Sequence, residues 1–300
     1  MKSMRIPLLS VMILVLVGLI FGSLFDLTIS HNVATVGQPF GLAVSAVSPT
    51  IGFAGLCVIG GGFFALARKE WYPTWAKVCF YVLAVGIYGV SIYYAGVEYF
   101  GPNGFAGAAP KWAGFLIAAV PLAGGEVGGY FLFRNTENKR IWVLFLVSLA
   151  ILGVALVFGG MILKGIMHRP RYRFIVSHSD VNFHNWWQPF KVPAEYADAA
   201  FKEEFRSFPS GHTIEATILY VPVVFMGLSE KKLRKAQLPA FIGVTLFVIL
   251  LAFCRILCGA HFLSDVSMGA FITLFLTYIA NEVVINQKKL QLPEEAPEQE

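Results

Sequence analysis

Charge is what this chain has least of. Asp, Glu, Lys and Arg make up 14% of its 300 residues, while 57% are hydrophobic. That balance excludes an ordinary soluble globular domain, in which about a quarter of residues are charged. Cysteine is scarce too. Cys57, Cys79, Cys254 and Cys258 all lie in or beside apolar runs and read as buried free thiols. Cys254 and Cys258 stand one helical turn apart, yet two thiols alone make a poor zinc site. The formal net charge of +5 is spread over many short loops, which is not the footprint of a nucleic-acid binder. No internal repeat is evident.

What the chain has instead is long hydrophobic runs. They fall at about 6–25, 46–67, 78–97, 112–133, 141–163, 211–228, 238–254 and 262–284. Runs of this length predict an all-α, polytopic transmembrane helix bundle of about eight spans. The first follows Lys2 and Arg5, carries no charge and is long for a signal-peptide core, so it reads as a retained span. The fourth holds Pro121 and Gly-Gly-Glu126-Val-Gly-Gly, small residues that let helices approach closely. Glu126 is ionisable inside a span and so a functional candidate; the reading preferred here is a protonated or paired carboxyl. Residues 165–208 are the one long polar segment. They include Trp186 and Trp187, candidates for a lid or a lipid contact, and a stretch at 194–207 expected to lie as a helix with Tyr196, Phe201 and Phe205 toward lipid. Residues 287–300 are acidic and free of aromatics, and read as a disordered tail.

Eight alternating spans put both termini on one side. Assigning that side to the cytoplasm places 14 of the 23 Lys and Arg there, as the positive-inside rule asks. Three polar stretches then fall together on the outer face: Lys164-Gly-Ile-Met-His-Arg-Pro-Arg171-Tyr172, Pro209-Ser-Gly-His212, and Arg255-Ile-Leu-Cys-Gly-Ala-His261-Phe-Leu-Ser-Asp265. Cations gathered at a surface repel one another unless an anion joins them, and phosphate is the usual partner of Lys and Arg. Ser210 and Gly211 open the sixth helix, where backbone N–H groups are unpaired. Asp265, four residues after His261, can hold one imidazole nitrogen as N–H and leave the other free as a nucleophile or base.

In order and spacing these stretches resemble the three signature motifs of the type 2 phosphatidic acid phosphatase superfamily, integral-membrane lipid phosphate phosphatases related to vanadate haloperoxidases. Two positions depart from the pattern: Tyr172 stands for a proline and Cys254 for a serine. The resemblance implies a six-helix phosphatase core within 71–286, which makes the spans in 1–70 an N-terminal addition. It also implies roles. His261 would be the nucleophile that forms a phosphohistidine, Asp265 would orient its ring, and His212 would be the acid–base. Lys164, Arg171, Arg255, Ser210 and Gly211 would bind the phosphate oxygens, with no metal and no cofactor. Family spacing selects Arg171 over Arg169 and Arg173. The expected substrate is a lipid phosphomonoester or diphosphate of the phosphatidate, phosphatidylglycerol phosphate or polyprenyl diphosphate class. The expected place is the plasma membrane, with the site on the outer face. Oligomeric state is not legible.

Four histidines stand outside the motifs' roles. His178-x-Asp180-x3-His184 is only loosely metal-like, His168 lines the site at most, and His31 has no evident partner. Glu215 shares a helical face with His212 and could tune it or merely reach for water. Two other functions compete with the phosphatase. One is a phosphotransferase of the same fold, with an alcohol in place of water. The other is a non-enzymatic lipid-binding or transport protein, motivated by the extra spans and Glu126.

Overall fold

A computed structural model describes residues 4–101, 104–105, 108–227 and 231–282. The predicted disordered tail lies outside these residues. No strand occurs among them. The long helices are α1 (Arg5–Val33), α2 (Pro39–Ala67), α3 (Thr74–Tyr99), α4 (Lys111–Phe133) and α5 (Ile141–Ala155). α5 runs on through π-helical turns at Leu156–Leu163 into α6 (Lys164–Met167). After the short α7 (Tyr172–Ile175) come α8 (Gly211–Thr217), α9 (Tyr220–Met226), α10 (Lys231–Leu257) and α11 (Leu263–Ala280).

Among the described residues, seven helical stretches are long and apolar enough to cross a membrane. The remaining one of the eight expected spans, the sixth run, is broken. Pro222 has no N–H to give the Ile218 carbonyl, and the helix opens into a turn at 218–219 between α8 and α9. Large apolar side chains face outward along the helices, among them Ile13, Leu24, Val85, Val120, Met161 and Leu246. Such a girdle suits lipid contact, because the backbone of each helix is satisfied internally. The protein is an integral membrane protein. Of the four thiols, Cys57, Cys254 and Cys258 are buried as expected, whereas Cys79 points outward from α3.

Glycine lets α2 and α4 meet almost backbone to backbone. A Cβ on Gly61 would lie 1.8 Å from the Glu126 carbonyl, and one on Gly129 would lie 2.0 Å from that of Val58. The small-residue run of α4 therefore serves packing. Glu126 sits in this α2–α3–α4 group, where its charge acts on Cys57 and Tyr88. The two N-terminal helices are not peripheral. α2 is among the most enclosed helices, and α1 lies along α11.

The ends of the bundle are distinct. At one, Arg5 of α1 approaches Glu282 after α11 (3.8 Å), Lys69 donates to the Arg134 carbonyl and Tyr72 to that of Lys139. The motifs gather at the other.

The candidate active site

Left-handed turns aim the motif side chains. His168 ends α6 at φ 43°, one of the few non-glycine types that tolerate this region, and so turns Arg169-Pro170-Arg171 back toward the bundle. Gly259 (φ 65°) does the same after α10. Its carbonyl accepts from the Arg173 amide at 2.8 Å, while the Arg255 carbonyl accepts from the amides of Ala260 and His261. His261 is thereby held directly over the last turn of α10.

The structure brings all the motif residues together. Lys164, Arg171, Ser210, His212, Arg255, His261 and Asp265 are buried, and Gly211 lies close enough that a Cβ there would be 3.6 Å from the Lys164 ammonium. The charges of Arg255 and Arg171 act on both histidines, and that of Lys164 acts on His212. The imidazole of His261 is held well below its ordinary pKa. Burial is the main cause and outweighs the upward pull of Asp265, with the charges of Arg255 and Arg171 adding to the downward side.

The partner of the His261 ring differs from expectation. Its Nδ1 lies 2.7 Å from the Ser207 carbonyl oxygen but 3.7 Å from Asp265 Oδ2. A carbonyl only accepts, so Nδ1 carries the proton and Nε2 is left with its lone pair. Asp265 acts one step removed, holding the loop that holds the ring. It accepts from the Ser207 hydroxyl (2.5 Å) and the Phe262 amide (2.8 Å) through Oδ2, and from Arg169 Nη1 (2.6 Å) through Oδ1. The Phe262 contact also closes the first turn of α11.

Arg169 and Arg171 have different partners. All three nitrogens of the Arg169 guanidinium are engaged by the protein. Nε donates to the His184 carbonyl, Nη1 to Ser264 Oγ and Asp265, and Nη2 to Asp26 of α1 at 2.9 Å. Phe262 and Phe183 lie 4.2 and 5.2 Å from its centre. Arg171 donates through Nε to the Glu203 carbonyl and faces that residue's carboxylate at 3.7 Å.

Several site residues were not singled out by sequence. Glu98, at the end of α3, places Oε2 3.6 Å from His212 Nε2 and acts electrostatically on Arg171 and Arg255. Glu203 bridges toward both Arg171 and Arg206, the latter at 3.4 Å. Asp26 and Ser207 complete the set. The outer ends of the first and third spans were the only signal for Asp26 and Glu98, since topology put them on the motif face. Glu215 lies in the site, where it feels Glu98, Lys164 and Arg255.

The polar segment 165–208 is a packed cover over this end. The expected helix at 194–207 is instead two short 3-10 turns, Ala194–Tyr196 and Lys202–Phe205. Phe205 does not face lipid. It is buried with Phe174 and Val181, and Tyr196, Phe201 and Phe190 pack against them. Burying these rings against one another satisfies them within the loop. Trp186 is an anchor: its Nε1 donates to Ser23 Oγ of α1 (2.8 Å) and its ring stacks on Phe208. Trp187 is 48% exposed. His178 stacks on Phe174 and Asp180 accepts from Tyr196, so neither converges with His184. His31 finds a partner after all, the Tyr172 hydroxyl at 3.2 Å.

A family model described as the PAP2 superfamily matches residues 132–289, just over half of the chain and inclusive of all three motifs. The chain belongs to the PAP2 superfamily. No curated protein and no solved structure matches it. Membership supports a phosphatase-type activity on phosphate esters. As a PAP2 protein the chain is notable for how much of its site lies before the matched region, on α1 and α3.

Proposed function

We propose that this PAP2 protein is a membrane lipid phosphatase working through a phosphohistidine. The observation that carries the reading is the 2.7 Å contact from His261 Nδ1 to the Ser207 carbonyl, among three buried cations. In the neutral ring this contact puts the proton on Nδ1 and the lone pair on Nε2, which supports Nε2 as the nucleophile. Nε2 attacks phosphorus as the bond to the leaving oxygen breaks, and His212 gives that oxygen a proton. Water then attacks the phosphohistidine, His212 takes the water's proton, and phosphate leaves with Nε2 free again. Lys164, Arg171 and Arg255 stabilise the charge on the equatorial oxygens, with Ser210 and the Gly211 N–H beside them. Three fixed cations do what a metal ion does elsewhere, so chelators should leave turnover intact.

The substrate proposed is a phosphomonoester or diphosphate of a lipid, because the site lies at the end of a lipid-facing bundle under an aromatic-rich cover. Charge distribution supports a site on the extracytoplasmic face of the plasma membrane, with both termini cytoplasmic. Purified protein should release phosphate from dispersed phosphatidate or polyprenyl diphosphate. Transfer to an added alcohol in preference to water would make it a phosphotransferase, and release from neither lipid class would refute the proposal.

A further inference from the structure

The helix that precedes the matched family region is tied into the site at three points. Ser23 receives the Trp186 indole, Asp26 receives Arg169, and His31 meets Tyr172, the residue standing where the family pattern has proline. Asp26 is the most deeply placed of the three, 2% exposed. Its Oδ1 accepts from the Ser264 amide at 3.0 Å, and its Oδ2 accepts from the Ser264 hydroxyl and from Arg169 Nη2 at 2.9 Å. Every contact is one of acceptance, which is the pattern of an ionised carboxylate. Close helix contact makes this possible: a Cβ on Gly22 would lie 2.5 Å from the Ser264 nitrogen.

Arg169 therefore sits between two buried carboxylates, Asp26 on one side and Asp265 on the other, with salt-bridge distances of 2.9 and 2.6 Å. Within this trio two carboxylates share one guanidinium. A guanidinium given to Asp265 alone would neutralise it fully. Shared with Asp26, it holds Asp265 in place while leaving part of that carboxylate's field to act on His261, whose ring becomes positive as it takes the phosphoryl group. Removing one partner of a buried ionic network leaves the others wrongly balanced.

We infer that Asp26 of α1 is a positioning residue for the phosphoryl-transfer step, acting through Arg169 on Asp265 and the His261 loop. The inference rests on the phosphatase reading above. The first span is thus part of the catalytic apparatus. An Asn at this position must turn an N–H toward either the Ser264 amide or the Arg169 guanidinium, donor against donor.

The test uses the full-length chain in detergent with one phosphate-ester substrate. Asp26→Asn should lower kcat by about 10- to 100-fold, the range expected when reacting groups are misplaced by about an ångström. KM and the inhibition constant of inorganic phosphate should stay within about twofold, because Lys164, Arg171 and Arg255 are untouched. Ser23→Ala, which loosens α1 from the cover but leaves the carboxylate, should keep wild-type kcat. If Asp26→Asn does not yield folded protein, Ser264→Ala decides, with a several-fold loss in kcat at constant KM expected. A wild-type kcat in the folded Asp26→Asn variant, or in Ser264→Ala, overturns the inference. So does a kcat loss matched by weaker phosphate inhibition or by a fall in the folded fraction. If the wild-type chain itself releases no phosphate, the phosphatase reading has failed instead.

Discussion

In the proposed mechanism His261 is the residue on which the chemistry turns, and its burial makes a specific demand on pH behaviour. Its imidazole is held well below the ordinary value, mainly by burial. In the unfolded chain the same ring takes a proton near pH 6.5. The folded state therefore loses stability relative to the unfolded as pH falls below about 6.5, and gains nothing from this group above it. With an activated ester whose leaving group needs no proton, single-turnover phosphorylation should be flat from about pH 6 to 8. An inflection near 6.5 would show that the ring titrates freely and is not held as described. The motif residues were legible in sequence because polar groups in long apolar chains are costly and few. The Ser207 carbonyl was not, since a backbone acceptor carries no residue signature. Asp26 and Arg169 are 143 positions apart, and nothing local links them.

The elements were legible to the extent that hydrophobic length specifies them. Seven of the eight runs became long helices, and the broken one is explained by Pro222, a residue visible in the sequence whose effect depends on neighbours that accept the turn. The cover over the site was the least legible element. Its aromatic residues suggested a lipid-facing helix, but they satisfy one another in a small core. This changes what its tryptophans should do. Trp186→Ala should weaken activity on long-chain lipids and short soluble esters alike, because it removes the ring stacked on Phe208, the neighbour of the Ser207 carbonyl that holds His261. Trp187→Ala should weaken only the long-chain reaction, and an equal loss on both classes would assign Trp187 to structure. The cover also holds the Glu204–Arg173 pair, with oxygen–nitrogen distances of 2.6 and 2.9 Å. Burial raises the Glu204 carboxyl, but the hydrogen bonds and charge of Arg173 outweigh it and leave the pKa below the ordinary value. Its stabilisation is thus complete above about pH 4.5 and is lost as pH falls through the lower folded value. Glu204→Gln should speed hydrogen exchange across 194–206 at neutral pH, and exchange no faster than wild type would show that the pair does not hold the cover.

At the scale of the whole molecule, one end of the bundle carries the motif residues, and Arg5, Lys69, Arg134 and Lys139 lie at the other. A single cysteine at Ser179, in a background lacking the native thiols, should be labelled on intact cells by an impermeant reagent, and one at Glu137 should not. Equal labelling, or labelling at Glu137 alone, would reverse the orientation. The division of the chain into added spans and a phosphatase core follows the family pattern, whereas in packing α1, α2 and α3 all reach the site's end of the bundle. The central claim is the covalent step, and it is tested most directly by rapid quench with a labelled lipid phosphate followed by peptide mapping. The account predicts acid-labile label on His261, none in His261→Ala, and accumulation in His212→Ala with an activated ester, because the second half-reaction then lacks its base. Label on another residue, or unimpaired turnover in His261→Ala, would contradict it.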